Sequence, residues 1–197
     1  MTTTPHDSDQ LEMRKLEQLS NTIFGVAMTL LAYDLPKAAQ FDHLPDWHDL
    51  YHAFGGRIGG MALSFIIAGV FWLSHQRRLT RQPMGSRGIV ILNLLFLLSI
   101  ILLPVSNSLY GNYGMSGAVA VLYGLHLTAI AGLNALLWRL ALGFGWQPEV
   151  IAASFPLLVF IPGTVVAAYE PRYATYFWLL AFFGLVVRRL TSSRDEA

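Results

Sequence analysis

The chain has 197 residues, of which 54% are hydrophobic and only 13% charged, and its mean hydropathy is +0.49. An average soluble domain carries about 25% charged residues, so this composition excludes an ordinary soluble fold and indicates one membrane domain, residues 1–197. A net charge of +1 says little about partners, and the absence of cysteine excludes disulfides, thiolate metal sites and cysteine catalysis.

Residues 1–14 are polar and carry Asp7, Asp9 and Glu12. A secretory signal needs a basic start and an apolar core, so the first apolar segment is read as a retained span. Six apolar stretches follow, near 19–35, 58–75, 89–109, 117–142, 148–168 and 173–190. Each can reach roughly the 20 residues that cross a bilayer as a helix. The predicted fold is an all-α integral membrane protein with six transmembrane helices and short tails at 1–14 and 190–197. The first stretch is the least apolar. The third is the most uniformly apolar apart from Asn93, Ser99 and Pro104, and the sixth is rich in aromatics. Pro104, Pro156 and Pro162 fall inside spans, where a missing N–H and a ring clash kink a helix.

The connections are short except the first, 36–56, which holds Asp42, Asp46, Asp49, His43, His48 and His52. His48 and His52 stand four apart, a step that can chelate an ion on one helical turn. The three histidines have no firm metal spacing, a solvated loop is the default reading, and no metal is assigned. Gly56-x-x-x-Gly60 at the start of span two reads as a close-packing pattern, and Tyr110–Gly114 as a turn. Six spans put both termini on one side. If that side is the cytoplasm, Arg14, Lys15, Arg77, Arg78, Arg81, Arg87, Arg139, Arg188, Arg189 and Arg194 lie inside and Lys37, Arg57 and Arg172 outside. Ten against three is a positive-inside bias, which places both termini in the cytoplasm.

The first span is unusual in its polar groups. Ser20 and Asn21 sit near its start, and Thr22, Val26, Thr29 and Tyr33 follow steps of four, three and four, which lines them up on one face. A span that faces only lipid has no use for such groups. Two readings of the stripe stand at this point. It is a packing seam in which threonines bond across helices, or it lines a pathway repeated around the axis of a symmetric oligomer.

The stretch from Lys15 resembles the signature helix of the transmembrane protein 175 family of potassium channels, in its prokaryotic, single-repeat form. That signature is Arg-x-x-x-Phe-Ser-Asp, then seven residues and a Thr. Lys15, Leu19, Ser20, Asn21 and Thr29 occupy those places here, and residues 30–36 are similar to the family's exit from the helix. The blocks Phe71–Arg78 and Leu92–Leu98, with Leu103-Pro104, extend the resemblance over roughly residues 12–135. Ser20 and Thr29 keep the family's residue type. Lys15 lacks the planar fork of an arginine, and Asn21 keeps hydrogen bonding without charge.

The resemblance implies a potassium-permeable cation channel in a prokaryotic plasma membrane. It implies a homotetramer whose four first helices line a central pore without a conventional selectivity-filter loop. Large apolar side chains then form the constriction. Aligned on Thr29, the ring position is Val26, with Thr29 and Tyr33 one and two turns on and Thr22 on the same stripe. Val26 is smaller than the isoleucine or leucine usual there, which implies a wider constriction. A narrow apolar ring gates by dewetting, and a ring of threonine hydroxyls replaces part of an ion's hydration. The outer-loop aspartates can concentrate cations at the entrance. The family places a polar network at the base of the helix, here grouped as Lys15, Ser20, Asn21 and His75, with Asn93 as a further member. His75 is read as a buried hydrogen-bond partner and His126 as structural. The expected partners are other copies of the chain, monovalent cations and the bilayer, without nucleic acid. The permeant ion is potassium, and no cofactor is expected.

Two other classes compete. A secondary transporter or proton-leak pathway would work by alternating access, and Pro156 and Pro162 would permit a broken span five, but no internal repeat is visible. An intramembrane enzyme would need clustered ionisable groups at one depth. The span interiors carry almost none apart from His126, so no enzymatic activity is expected.

Overall fold

The structure, a computed structural model, describes residues 5–37, 41–81, 87–143 and 147–192. The predicted tail ends at 1–4 and 193–197 lie outside that range. The described residues form six α-helices and no strand. In chain order these are α1 (Pro5–Leu30, continued by a 3₁₀ turn Leu31–Asp34), α2 (Trp47–Leu79), α3 (Arg87–Tyr113), α4 (Gly117–Leu142), α5 (Pro148–Tyr169) and α6 (Pro171–Ser192). Each predicted apolar stretch coincides with one helix. Four of them, α2 to α5, are long and apolar enough to cross a membrane.

The helix ends follow local chemistry. α2 begins at a capping box: the Asp46 carboxylate accepts the Asp49 N–H at 2.9 Å, and the Asp49 carboxylate accepts the Asp46 N–H at 3.0 Å. The helix therefore starts eleven residues before the predicted span at 58 and runs for 33 residues, about 50 Å against a hydrocarbon core of about 30 Å. Pro148 opens α5 at a position where its missing N–H has no intrahelical partner to lose. α4 ends at Gly143, whose φ of +89° suits a residue without Cβ. Pro104, Pro156 and Pro162 lie inside their helices, as the sequence predicted.

The outward face of α3 is apolar, and several polar side chains are buried between helices. On α3, Ile91, Leu94, Leu95, Leu98, Ile101, Leu102 and Val105 are exposed at helical spacing, an apolar face of the kind that lipid covers. Inside, polar side chains bond between helices. Ser64 Oγ donates to Asn107 Oδ1 at 2.6 Å, so its contact with Tyr123 at 2.7 Å has the phenol as donor, and α2, α3 and α4 are tied together. Ser74 Oγ donates to Asn134 Oδ1 and accepts from Trp138 Nε1, joining α2 to α4 again. His126 bridges α4 to α3. Its Nε2–H donates to the Ser99 carbonyl at 3.0 Å, so in the neutral ring Nδ1 accepts from Ser106 Oγ at 2.7 Å.

The tightest packing lies where α4, α5 and α6 meet. The rings of Tyr110 and Tyr123 stack at 4.7 Å, and Trp178 meets both edge-on. A Cβ on Gly163 would stand 2.6 Å from Trp178 Nε1, and one on Gly124 would stand 2.4 Å from Thr164 Oγ1. Close approach thus falls at Gly124 and Gly163. The predicted pattern at Gly56 and Gly60 does not supply it, because Gly56 meets nothing within 4 Å and Gly60 only the Asn107 side chain at 3.8 Å.

Candidate functional site on the first helix

α1 packs against α2 and α3 with one face only. Ser20, Phe24, Ala27 and Leu31 follow steps of four, three and four and are buried. Thr22, Val26, Thr29 and Tyr33 follow the same steps two residues later, about 200° around the helix, and are exposed. Val26 is 52% exposed and Tyr33 72%. The packing of the helix is therefore settled by the first set, and the subunit leaves the second set uncovered.

The hydroxyls on the uncovered face are oriented by their own helix. Thr22 Oγ1 donates to the Gln18 carbonyl at 2.9 Å and Thr29 Oγ1 to the Val26 carbonyl at 2.8 Å. Each proton is engaged by the backbone, so each oxygen presents lone pairs outward and suits a cation better than an anion. Beyond them Lys37 Nζ lies 4.4 Å from the centre of the Tyr33 ring, a cation–π contact at the end of the stripe.

Of the residues grouped at the base of the helix, Asn21 has one set of partners, His75 and Asn93 share another, and Ser20 and Lys15 join neither. Asn21 Oδ1 accepts from Trp72 Nε1 at 2.9 Å and from Gln76 Nε2. His75 and Asn93 are buried and meet through Arg78, whose guanidinium donates to His75 Nδ1 at 3.0 Å and to Asn93 Oδ1 at 2.6 Å. The His75 ring also lies against Phe24 at 6.0 Å and Phe96 at 5.5 Å, so it supports α1 by ring contact. Ser20 is buried and donates to its own helix at the Leu16 carbonyl, 2.7 Å away. Lys15 is exposed.

Trp72, Gln76 and Arg78 are thus the partners that sequence reasoning left out, although all three lie in or beside the block Phe71–Arg78 that it quoted. Both partners of Asn21 are neutral donors. An asparagine where the family pattern has an aspartate therefore strands no cation there.

Comparison with known proteins places these residues in a family. Residues 15–104 match the family described as endosomal/lysosomal potassium channel TMEM175. The matched segment begins at Lys15 and contains the α1 face, Trp72, His75, Gln76, Arg78 and Asn93. A potassium channel of Streptomyces collinus is 29% identical over 152 residues, covering 72% of this chain and 71% of the relative. The crystal structure of a lysosomal potassium-selective channel TMEM175 homolog from Chamaesiphon minutus shares the fold. It aligns with a TM-score of 0.75 at 19% identity, over 89% of this chain and 97% of the other. The signature segment thus matches the TMEM175 family, the chain is similar over most of its length to a potassium channel, and its helical fold is that of a TMEM175 homolog.

Proposed function

We propose that this chain forms a potassium-permeable cation channel, a homotetramer whose four α1 helices line a central pore. Each subunit crosses a prokaryotic plasma membrane six times with both termini in the cytoplasm. The observation that carries the reading is the uncovered face of α1. Val26 and Tyr33 stand exposed beside threonine oxygens whose protons are already engaged by the backbone. Lipid gives such oxygens nothing to bind, whereas an axis shared with other subunits gives them a cation.

In this assembly four Val26 side chains make the constriction. A ring of that kind excludes water when narrow, and an ion passes when the ring is wide enough to wet. Thr29, one turn on, supplies four oxygens that offset part of the hydration an ion sheds, and Thr22 repeats the arrangement on the other side. The buried face of α1, with Asn21 tied to Trp72 and Gln76, holds the ring in place. Two bonds that flank the apolar part of α2 support alternating spans. Arg57, three turns into α2, donates to Asn112 near the end of α3 at 3.1 Å, and Arg81, just past the end of α2, pairs with Glu149 at the start of α5.

The family and its named relatives are potassium channels, so the reading is of a pore and not of an enzyme. The test is the reversal potential of the pure protein in a planar bilayer, with potassium on one side and sodium on the other. A shift toward the potassium equilibrium potential, altered by substitution at Val26 or Thr29, is the expected result. Saturable flux coupled to a gradient, without single-channel currents, would replace the channel with a transporter.

A further inference from the structure

The first turn of α2 brings together side chains that capping does not require. Asp46 and Asp49 complete the capping box with one carboxylate oxygen each, Asp46 Oδ1 and Asp49 Oδ2. His48 and His52 play no part in it. They stand one turn apart with their Nε2 atoms 3.1 Å from each other and their ring centres 4.3 Å apart. Two imidazole nitrogens bound to one tetrahedral zinc ion, at about 2.0–2.1 Å each, stand about 3.3 Å apart. The pair therefore already has nearly the spacing of two ligands to one ion.

Oxygen ligands are at hand. Asp46, His48 and Asp49 each present a ligand atom, all within 4.8 Å of one another; His52 lies outside that group and adjoins it through His48, so a side-chain rotation brings a carboxylate to the histidine pair. His43 Nε2 donates to Asp49 Oδ2 at 3.0 Å, the kind of outer bond that orients a carboxylate ligand. Without an ion, the two facing nitrogens pair with each other at 3.1 Å. An ion replaces this pairing with two bonds.

We propose that this turn is a binding site for a divalent transition ion of the zinc class, held by His48, His52 and a carboxylate oxygen from the Asp46–Asp49 pair. Imidazole nitrogens select zinc-like ions over calcium and magnesium, which take oxygen ligands. The ion ties the first turn of α2 to the loop residue His43 through Asp49. This inference is independent of the channel reading, because none of its ligands belongs to the α1 stripe.

The experiment is calorimetric titration of zinc chloride into the full chain, purified without a histidine tag, in detergent. One site per chain is expected, weakened at least tenfold in His48→Ala and in His52→Gln and lost in the double variant. Zinc should raise the thermal midpoint of the parent and not that of the double variant. X-ray absorption at the zinc edge should read two imidazoles and oxygen neighbours. All four side chains are at the surface or half-buried, so the variants are expected to fold, and an unchanged midpoint without zinc checks this. Absence of saturable binding to the parent, or binding of equal strength in the folded double variant, would overturn the assignment.

Discussion

Along one side of α1, Ser20, Phe24, Ala27 and Leu31 are sealed against α2 and α3, while along the other, at the same spacing, Thr22, Val26, Thr29 and Tyr33 are exposed. The buried side carries the shape information. Phe24 packs against the adjoining His75 and Phe96 rings, and that contact orients the helix. The uncovered side inherits its direction from this contact and is not constrained by packing against α2 and α3. Residues on the two sides should therefore fail differently when changed.

The largest effect is expected on the buried side. Phe24→Ala removes a ring from a closed contact and should destabilise the subunit by about 3 kcal/mol, read as a lowered thermal midpoint in detergent. An intact midpoint would mean that α1 is not held as described. Next comes Asn21→Ala, which removes the acceptor of the Trp72 and Gln76 donors at an exposed site; a loss of about 0.5–1 kcal/mol is expected. Asn21→Asp restores the family's residue and keeps the acceptor, so its midpoint should stay within about 1 kcal/mol of the parent.

On the uncovered side, Val26→Ile should change stability by less than about 0.5 kcal/mol while lowering single-channel conductance. Unchanged or raised conductance would remove Val26 from the constriction. The smallest effect is expected at the end of the stripe. Lys37→Gln breaks a cation–π contact of about 0.5–1 kcal/mol and removes one positive charge per subunit near Tyr33. Inward cation current should rise modestly and more at low ionic strength, because exposed charges are screened by salt.

Much of this was legible in the sequence. Runs of apolar residues marked all six helices, and the spacing of Thr22, Val26, Thr29 and Tyr33 marked one face of α1. Two things were not. The start of α2 was placed at 58 because hydropathy falls off before it, whereas the helix continues outward on its own cap; the Asp46-x-x-Asp49 pattern after Pro45 was the available signal. The polar residues at the base of α1 do not form one cluster: Asn21 is bonded apart from His75 and Asn93, and Ser20 and Lys15 join neither. This separation depends on the rotation of α2, since Trp72 and Gln76 share one face while His75 and Arg78 lie on the next. A step of one residue turns a helix by about 100°, and nothing in a single sequence fixes that angle between neighbouring helices. The pairing of His48 with His52 shows the reverse case, where an i, i+4 step within one helix was enough to bring the rings together.

The absence of cysteine permits a direct test of the uncovered face. Single substitutions Val26→Cys and Thr29→Cys, with Leu98→Cys on the outer face of α3 as the comparison, would be exposed to a charged, membrane-impermeant thiol reagent during bilayer recording. The account predicts that current falls with time at Val26→Cys and Thr29→Cys, more slowly when the pore is occupied by a blocking cation, and stays constant at Leu98→Cys. Constant current at both α1 positions in conducting channels, with the cysteines shown to react only after denaturation, would contradict the placement of α1 along the pore.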